Sequence, residues 1–148
     1  MNFWQHLNPT QIEKIHSIST SLKAKEGEIL AHEGDKAESF FIVLDGEISI
    51  CNHVPKKGSK ILETLGPGEM IGWSWLLKSS HWSFDVRVHR KANVLKIPAA
   101  KIMQLMEKDS TFKEAIHLCV IEVLASRLKN TRILFNDLYQ NSSRENLS

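Results

Sequence analysis

The stretch Leu65-Gly66-Pro67-Gly68-Glu69-Met70-Ile71-Gly72-Trp73-Ser74-Trp75-Leu76-Leu77, answered by His81-Trp82-Ser83-Phe84-Asp85-Val86-Arg87-Val88, decides how this chain reads. A Gly-rich turn leads through a short segment into the start of a strand, which is the layout of an anion-binding cassette. Backbone N–H groups bared in such a turn form a nest for an anion. Three of the four tryptophans crowd into the same segment. The layout predicts a small-molecule pocket, and the indoles predict an unusual occupant.

Outward from the cassette, the glycines divide the chain, all seven lying between Gly27 and Gly72. The middle reads as β and the flanks as helical. Asn8-Pro9 is an N-cap followed by proline at the first helical position. Ile12, Ile15 and Ile18 then recur at near-helical spacing, predicting a helix over 9–18. The middle predicts about eight short strands. Glu28–Ala31 is closed by Glu33-Gly34-Asp35, and Phe40–Leu44 is turned tightly by Asp45-Gly46, a hairpin signal. Glu47–Asn52 returns, and Lys60–Leu65 follows a solvated loop, Pro55-Lys56-Lys57-Gly58. Phe84, Val86 and Val88 alternate with Asp85, Arg87 and His89, as in a strand with one wet face. Arg90–Asn93 turns into Val94–Ile97. Many short strands at even spacing indicate a small sandwich or roll.

After Pro98 the period becomes helical. Ile102, Leu105 and Met106 mark a short helix, and Asp109 or Ser110 caps a long one over Thr111–Tyr139. Val120, Leu124, Leu128, Thr131, Phe135 and Leu138 follow a three-four spacing, with Ile116, Val123 and Ile133 as a second apolar edge. This is more apolar surface than one roll covers, so the seam predicts a homodimer helix. The expected division is an N-terminal helical segment 1–20, a β-roll 22–97, C-terminal helices 98–140 and a frayed polar tail 141–148.

Bulk properties bound the function. At 148 residues, 42% hydrophobic and 24% charged, the chain is one globular domain with a true core. A net charge of +2 is too small to imply nucleic-acid binding. No run approaches the ~20 apolar residues of a membrane span, and Met1–His6 lacks the pattern of a signal peptide. Cys51 and Cys119 match no metal or redox spacing and read as two buried thiols in a reducing cytoplasm. His32, His53, His81 and His89 are scattered without ligand spacing.

In order, these motifs resemble a family. Lys25-Glu26-Gly27-Glu28, Glu33-Gly34-Asp35-Lys36-Ala37, Phe41-Ile42-Val43-Leu44-Asp45-Gly46-Glu47 and Leu65–Gly72 fall in register with cyclic-nucleotide-binding domains. These are the domains of catabolite activator protein and of the regulatory subunits of cAMP-dependent protein kinase. Ala125-Ser126-Arg127-Leu128 with Thr131 resembles the start of that family's dimer helix. The resemblance runs from about Leu22 to Leu138. It implies a double-stranded β-helix, a jelly-roll-like β-roll with an N-terminal helix and a long C-terminal helix.

The resemblance also locates a ligand site at Gly72, Trp73, Ser74, Trp75, Trp82, Ser83 and Thr131. The family's ribose-holding Glu is replaced by Trp73 and its phosphate-holding Arg by Trp82. Ser83 keeps a small residue, whereas Phe84 replaces one. Thr131 falls where some members contact the base, and its neighbour is Arg132. Losing a charge-assisted Arg–phosphate pair costs about 2–5 kcal/mol, or ~30- to several-thousand-fold in affinity. Arg87 stands on the opposite strand face and does not replace it.

No cofactor is implied, and a cyclic nucleotide is disfavoured as ligand. Two readings of the Trp cluster stay open: indoles packing a dead pocket, or indoles lining a site for an aromatic or nucleotide-like molecule. The expected function is a cytoplasmic regulatory module, not an enzyme. It lacks the family's helix-turn-helix, dimerises, and relies on a protein partner for output, with neither nucleic acid nor membrane as partner. The alternatives are a non-binding interaction protein and a cupin-like metal-dependent enzyme. The latter needs a His and carboxylate cluster, and no His-x-His occurs.

Overall fold

The computed structural model describes residues 2–56, 58–77 and 80–147, with side chains at all of these except 54, 134, 135, 138 and 141–147. A 3₁₀ turn, Phe3–His6, precedes α1 (Pro9–Ile18). Six strands follow: β1 (Thr20–Ala24), β2 (Ile29–Ala31), β3 (Ser39–Val54), β4 (Gly58–Leu65), β5 (Met70–Ile71) and β6 (Asp85–Pro98). A second 3₁₀ turn, Ser74–Leu76, lies between β5 and β6. Helices α2 (Ala99–Lys108) and α3 (Ser110–Leu147) close the chain.

The helix ends follow their sequence signals. Asn8 and Gln11 form a reciprocal capping box, which satisfies two donors the helix would leave bare. Asp109, rather than Ser110, caps α3: its Oδ1 accepts from the backbone N–H of Thr111 and Phe112. The helix continues past Tyr139 to Leu147, so the segment expected to fray is helical in backbone.

The sheet order is β1-β6-β3-β4, all antiparallel, with β2 also on β6 and β5 also on β3. The roll is therefore built on two long strands rather than on eight short ones. The two expected turns at Asp45-Gly46 and Arg90–Asn93 are not turns. β3 and β6 run through both and pair on either side, from Phe40↔Ile97 to Ile50↔Val86, with register shifts at Val43/Asp45, Asp45/Glu47 and Glu47/Ile48. Extra residues in a ladder bend it and sharpen its twist. Gly46, at φ +87°, lies so close to the Lys91 carbonyl and Ala92 that no side chain fits there. A D-G pair that reads as a hairpin is thus a bulge where two paired strands bend together. β1 was hidden in the sequence, because only Ala24 of its five residues is buried.

Alternation along β3 and β6 sets up two cores. Phe40, Ile42, Leu95 and Ile97 face the helices and pack with Phe3, Ile15, Trp75, Ile102, Phe112 and Ile116. Phe41, Val43, Ile48, Val86, Val88 and Val94 face into the roll with Leu65 and Ile71. Period 2 on a strand buried on both faces explains why these segments read as continuous apolar runs.

The expected seam on α3 is corrected. Val120, only 4% exposed, belongs to the helix-facing core with Ile116 and Val123. Leu124 and Leu128 of that seam do lie on the exposed apolar face, which also carries Leu118 and Ile121, with Ile133 and Tyr139 beyond. The side chains of Phe135 and Leu138, like Lys57 in the β3–β4 loop, lie outside the described residues. Cys51 and Cys119 are free and buried. Burial, with Glu122 nearby, pushes the Cys119 thiol up to about 11, so it stays protonated and inert near neutrality. Among the described residues no helix is long and apolar enough to cross a membrane.

Candidate functional site

The Gly-rich turn is pinned from both sides. The Glu69 carboxylate accepts from the Gly66 N–H at 2.6 Å. Gly68, at φ +84°, donates to Val43 and accepts from the Phe3 N–H, each at 2.8 Å. β5 then delivers the chain to Gly72, at φ +91°. Residues from there on, with the start of β6, face α3 across a cavity of about 520 Å³. That volume falls within the ~300–1,000 Å³ of ordinary ligand pockets.

Six of the seven expected site residues border this cavity: Gly72, Trp73, Ser74, Trp82, Ser83 and Thr131. Trp75 does not. It is 3% exposed and stacks on Phe40 at 4.5 Å with rings 8° from parallel, in the helix-facing core. The 3₁₀ turn explains the split, since residues two apart on about three per turn point well away from each other. The Trp75 Nε1 is buried without a partner.

Trp82 is half-buried against Phe41, centroids 6.1 Å apart. A Cβ on Gly72 would lie 2.5 Å from its Cη2, so the indole sits in the concavity of the cassette turn. The ring thus packs directly on the backbone at Gly72, and the cavity beside it stays open. Trp73 is 38% exposed and Phe84 40%, and both border the opening.

The sequence reading missed the charged pair. Arg127 of α3 and Glu63 of β4 both line the cavity. Arg127 donates through Nη2 to the Met70 carbonyl, and its Nε stands 3.8 Å from Glu63 Oε2. Burial lowers the guanidinium pKa, while Glu63 and Glu69 oppose that shift. Thr131 Oγ1 donates to the Arg127 carbonyl at 2.8 Å, leaving its lone pairs available. The signal for Arg127 was its place one turn before Thr131, whereas Glu63 had no signal beyond strand alternation. Arg87 is turned away: it pairs across from buried Ser49, while its neighbour Val86 lines the cavity. Among the described residues no group of three or more His, Cys, Asp or Glu is placed to hold a metal ion.

Comparison with known proteins places these features. The chain is 25% identical over 124 residues to the lysophospholipase NTE1 of Chaetomium globosum, covering 84% of this chain but 8% of that protein. It is 28% identical over 80 residues to the acetyltransferase Pat of Mycolicibacterium smegmatis, covering 54% of this chain and 24% of that one. The chain therefore spans a small part of the curated relatives it matches.

Among solved structures, the c-di-GMP responsive global regulator CLP of Xanthomonas campestris superposes with a TM-score of 0.79 at 20% identity, over 89% of this chain and 65% of that one. The catabolite activator protein of Thermus thermophilus gives 0.75 at 18%, over 93% and 62%. At these identities the likeness is one of fold. The pattern of the cyclic nucleotide-binding domain matches residues 21–109, more than half the chain and the whole roll with its cassette, and the chain belongs to that family.

Proposed function

We propose that this chain is a ligand-sensing regulatory module whose cavity takes an aromatic or nucleotide-like small molecule, and not a cyclic nucleotide in the usual pose. One observation carries the reading: Trp82 fills the turn at Gly72 while about 520 Å³ beside it remains open. An aromatic-walled cavity between roll and helix rewards a flat ligand, and it lets binding bias how α3 sits on the roll. The Trp82–Gly72 contact also favours a second reading, in which the roll is a non-binding interaction scaffold.

Calorimetry with cAMP and cGMP, alongside mass spectrometry of small molecules retained on purification, tests this. The expected result is weak or no binding of both nucleotides. Sub-micromolar cAMP binding by the unaltered protein overturns the reading. Trp82→Arg, which restores a cationic anchor at the turn, is expected to raise cAMP affinity about 30-fold or more. The output is proposed to pass through a second copy docked along Leu118, Ile121, Leu124 and Leu128 of α3, with a protein partner beyond it, in the cytoplasm. A continuous apolar stripe on a 38-residue helix favours a like helix as its cover.

A further inference from the structure

We propose that the cavity selects an uncharged flat ring presenting two adjacent N–H donors, and that Glu63 is the residue that reads them. The inference rests on the cavity being a ligand site, as proposed above, and adds the chemistry of its ligand.

Among the described residues, Glu63 and Arg127 are the charged side chains lining the cavity. Arg127 is already engaged: it donates to the Met70 carbonyl and is 18% exposed. Its Nε lies 3.8 Å from the Glu63 carboxylate, beyond hydrogen-bond distance. The two groups therefore neutralise one another without Arg127 consuming the carboxylate's lone pairs. A carboxylate offers about four such sites and accepts two parallel N–H donors side by side.

Charge balance then excludes the other ligand classes. An anion entering the cavity meets Glu63, and the guanidinium that would attract it is already shared. A cation meets Arg127. Either leaves a charge uncompensated beside a partly desolvated pair, which is unfavourable. The Trp82 ring also packs against Gly72 in the turn that would hold an anion and crowds it. An uncharged ring avoids all three costs. Trp73, Trp82, Phe84, Glu63 and Thr131 all line the cavity, so in the proposed pose the ring stacks on an aromatic side chain, its paired donors meet Glu63 and another edge meets the Thr131 hydroxyl.

Quenching of tryptophan fluorescence, with calorimetry as the second readout, tests this using guanosine, inosine and cGMP. Guanosine carries two adjacent N–H donors, inosine lacks the exocyclic amine, and cGMP adds a negative charge to the guanine ring. In the unaltered protein guanosine is expected to bind about tenfold or more tighter than either of the others. In Glu63→Gln that preference is expected to fall to within about threefold, since the amide keeps the shape but loses the charge and one acceptor. Equal binding of guanosine and inosine overturns the role of Glu63 and leaves the ligand site standing. So does a preference that survives Glu63→Gln. Tightest binding of cGMP overturns the charge argument. Binding of none of the three overturns this inference, and a retained molecule of another kind would still uphold the site. If Glu63→Gln fails to fold by circular dichroism, the guanosine-to-inosine ratio of the unaltered protein decides.

Discussion

Phe40 and Phe41 are neighbours on β3, and each carries a tryptophan. Trp75 stacks on Phe40 at 4.5 Å and is sealed among helices, whereas Trp82 stacks on Phe41 at 6.1 Å and is half-buried beside an open cavity. One strand thus has one face packed to completion and one left partly unfilled. The same residue type is enclosed on the first and borders open space on the second. What differs is the opposing surface: α2, the first turns of α3 and the Phe3–His6 turn fill the first face, while the second packs within the roll and meets α3 at Arg127 and Thr131 only across the cavity.

The largest expected effect tests that contrast directly. Trp75→Ala should cost about 3–5 kcal/mol in urea unfolding, as deletion of an enclosed aromatic does. Trp82→Ala should cost only about 1–2 kcal/mol, because its ring is only partly buried and borders space already empty. Equal losses at the two positions would erase the distinction between the faces.

Gly72 sharpens it next. Gly72→Ala forces a side chain to φ +91° and into Trp82, so a loss of about 1–3 kcal/mol is expected. Part of that loss should vanish in the Trp82→Ala background, leaving the backbone strain alone. A double-mutant cycle measures the coupling, and strict additivity would mean that the indole does not press on the turn.

Helix α3 repeats the contrast, with Ile116 and Val123 sealed against the roll while Ile121 and Leu128 are 60% and 61% exposed. Ile121→Lys with Leu128→Lys should change the melting temperature of the isolated fold little. By light scattering it should give monomers, whereas the unaltered protein, as proposed above, should be a dimer. An unaltered protein that is monomeric at high concentration would remove the second copy from the proposal.

The smallest effect concerns acid. The Lys14 side chain, then the Phe112 N–H, hold Asp109 below its ordinary pKa, and the His6 side chain holds Glu122 below its own. A depressed carboxylate contributes stability that is fully present above its ordinary value and is lost as pH falls through the folded value. Stability should therefore decline from about pH 4.5 downward, and Asp109→Asn should flatten part of that decline. Both groups sit at the surface, so salt should shrink the effect.

Much of the fold was legible because its signals are local. Asn8-Pro9, the switch of period at Pro98 and the Asp109 cap each act within a turn of chain. The bend at Gly46 was misread because a D-G pair satisfies a hairpin and a bulge equally. What separates them is the partner strand, and Lys91 lies 45 residues away in sequence. The site divides the same way. Gly72, Trp82 and Thr131 follow from ordered motifs, whereas Trp75 left the group through the phase of a single 3₁₀ turn. Glu63 entered it through the register of β3 on β4, where it sits opposite Ile50. Neither fact is encoded in spacing along the chain.

The tie between Phe3 and Gly68 has a consequence on another timescale. Terminal segments normally exchange their amide hydrogens with solvent almost at once. Here the Phe3 N–H is held by the Gly68 carbonyl, its own carbonyl receives the Cys119 thiol, and Gln5 and His6 grip Glu122 at 2.8 and 2.7 Å. The segment is a strap joining the cassette turn to α3. The Phe3 amide should persist in heavy water as long as those of the sheet, and opening of the cassette should register in its exchange rate before it does in any strand.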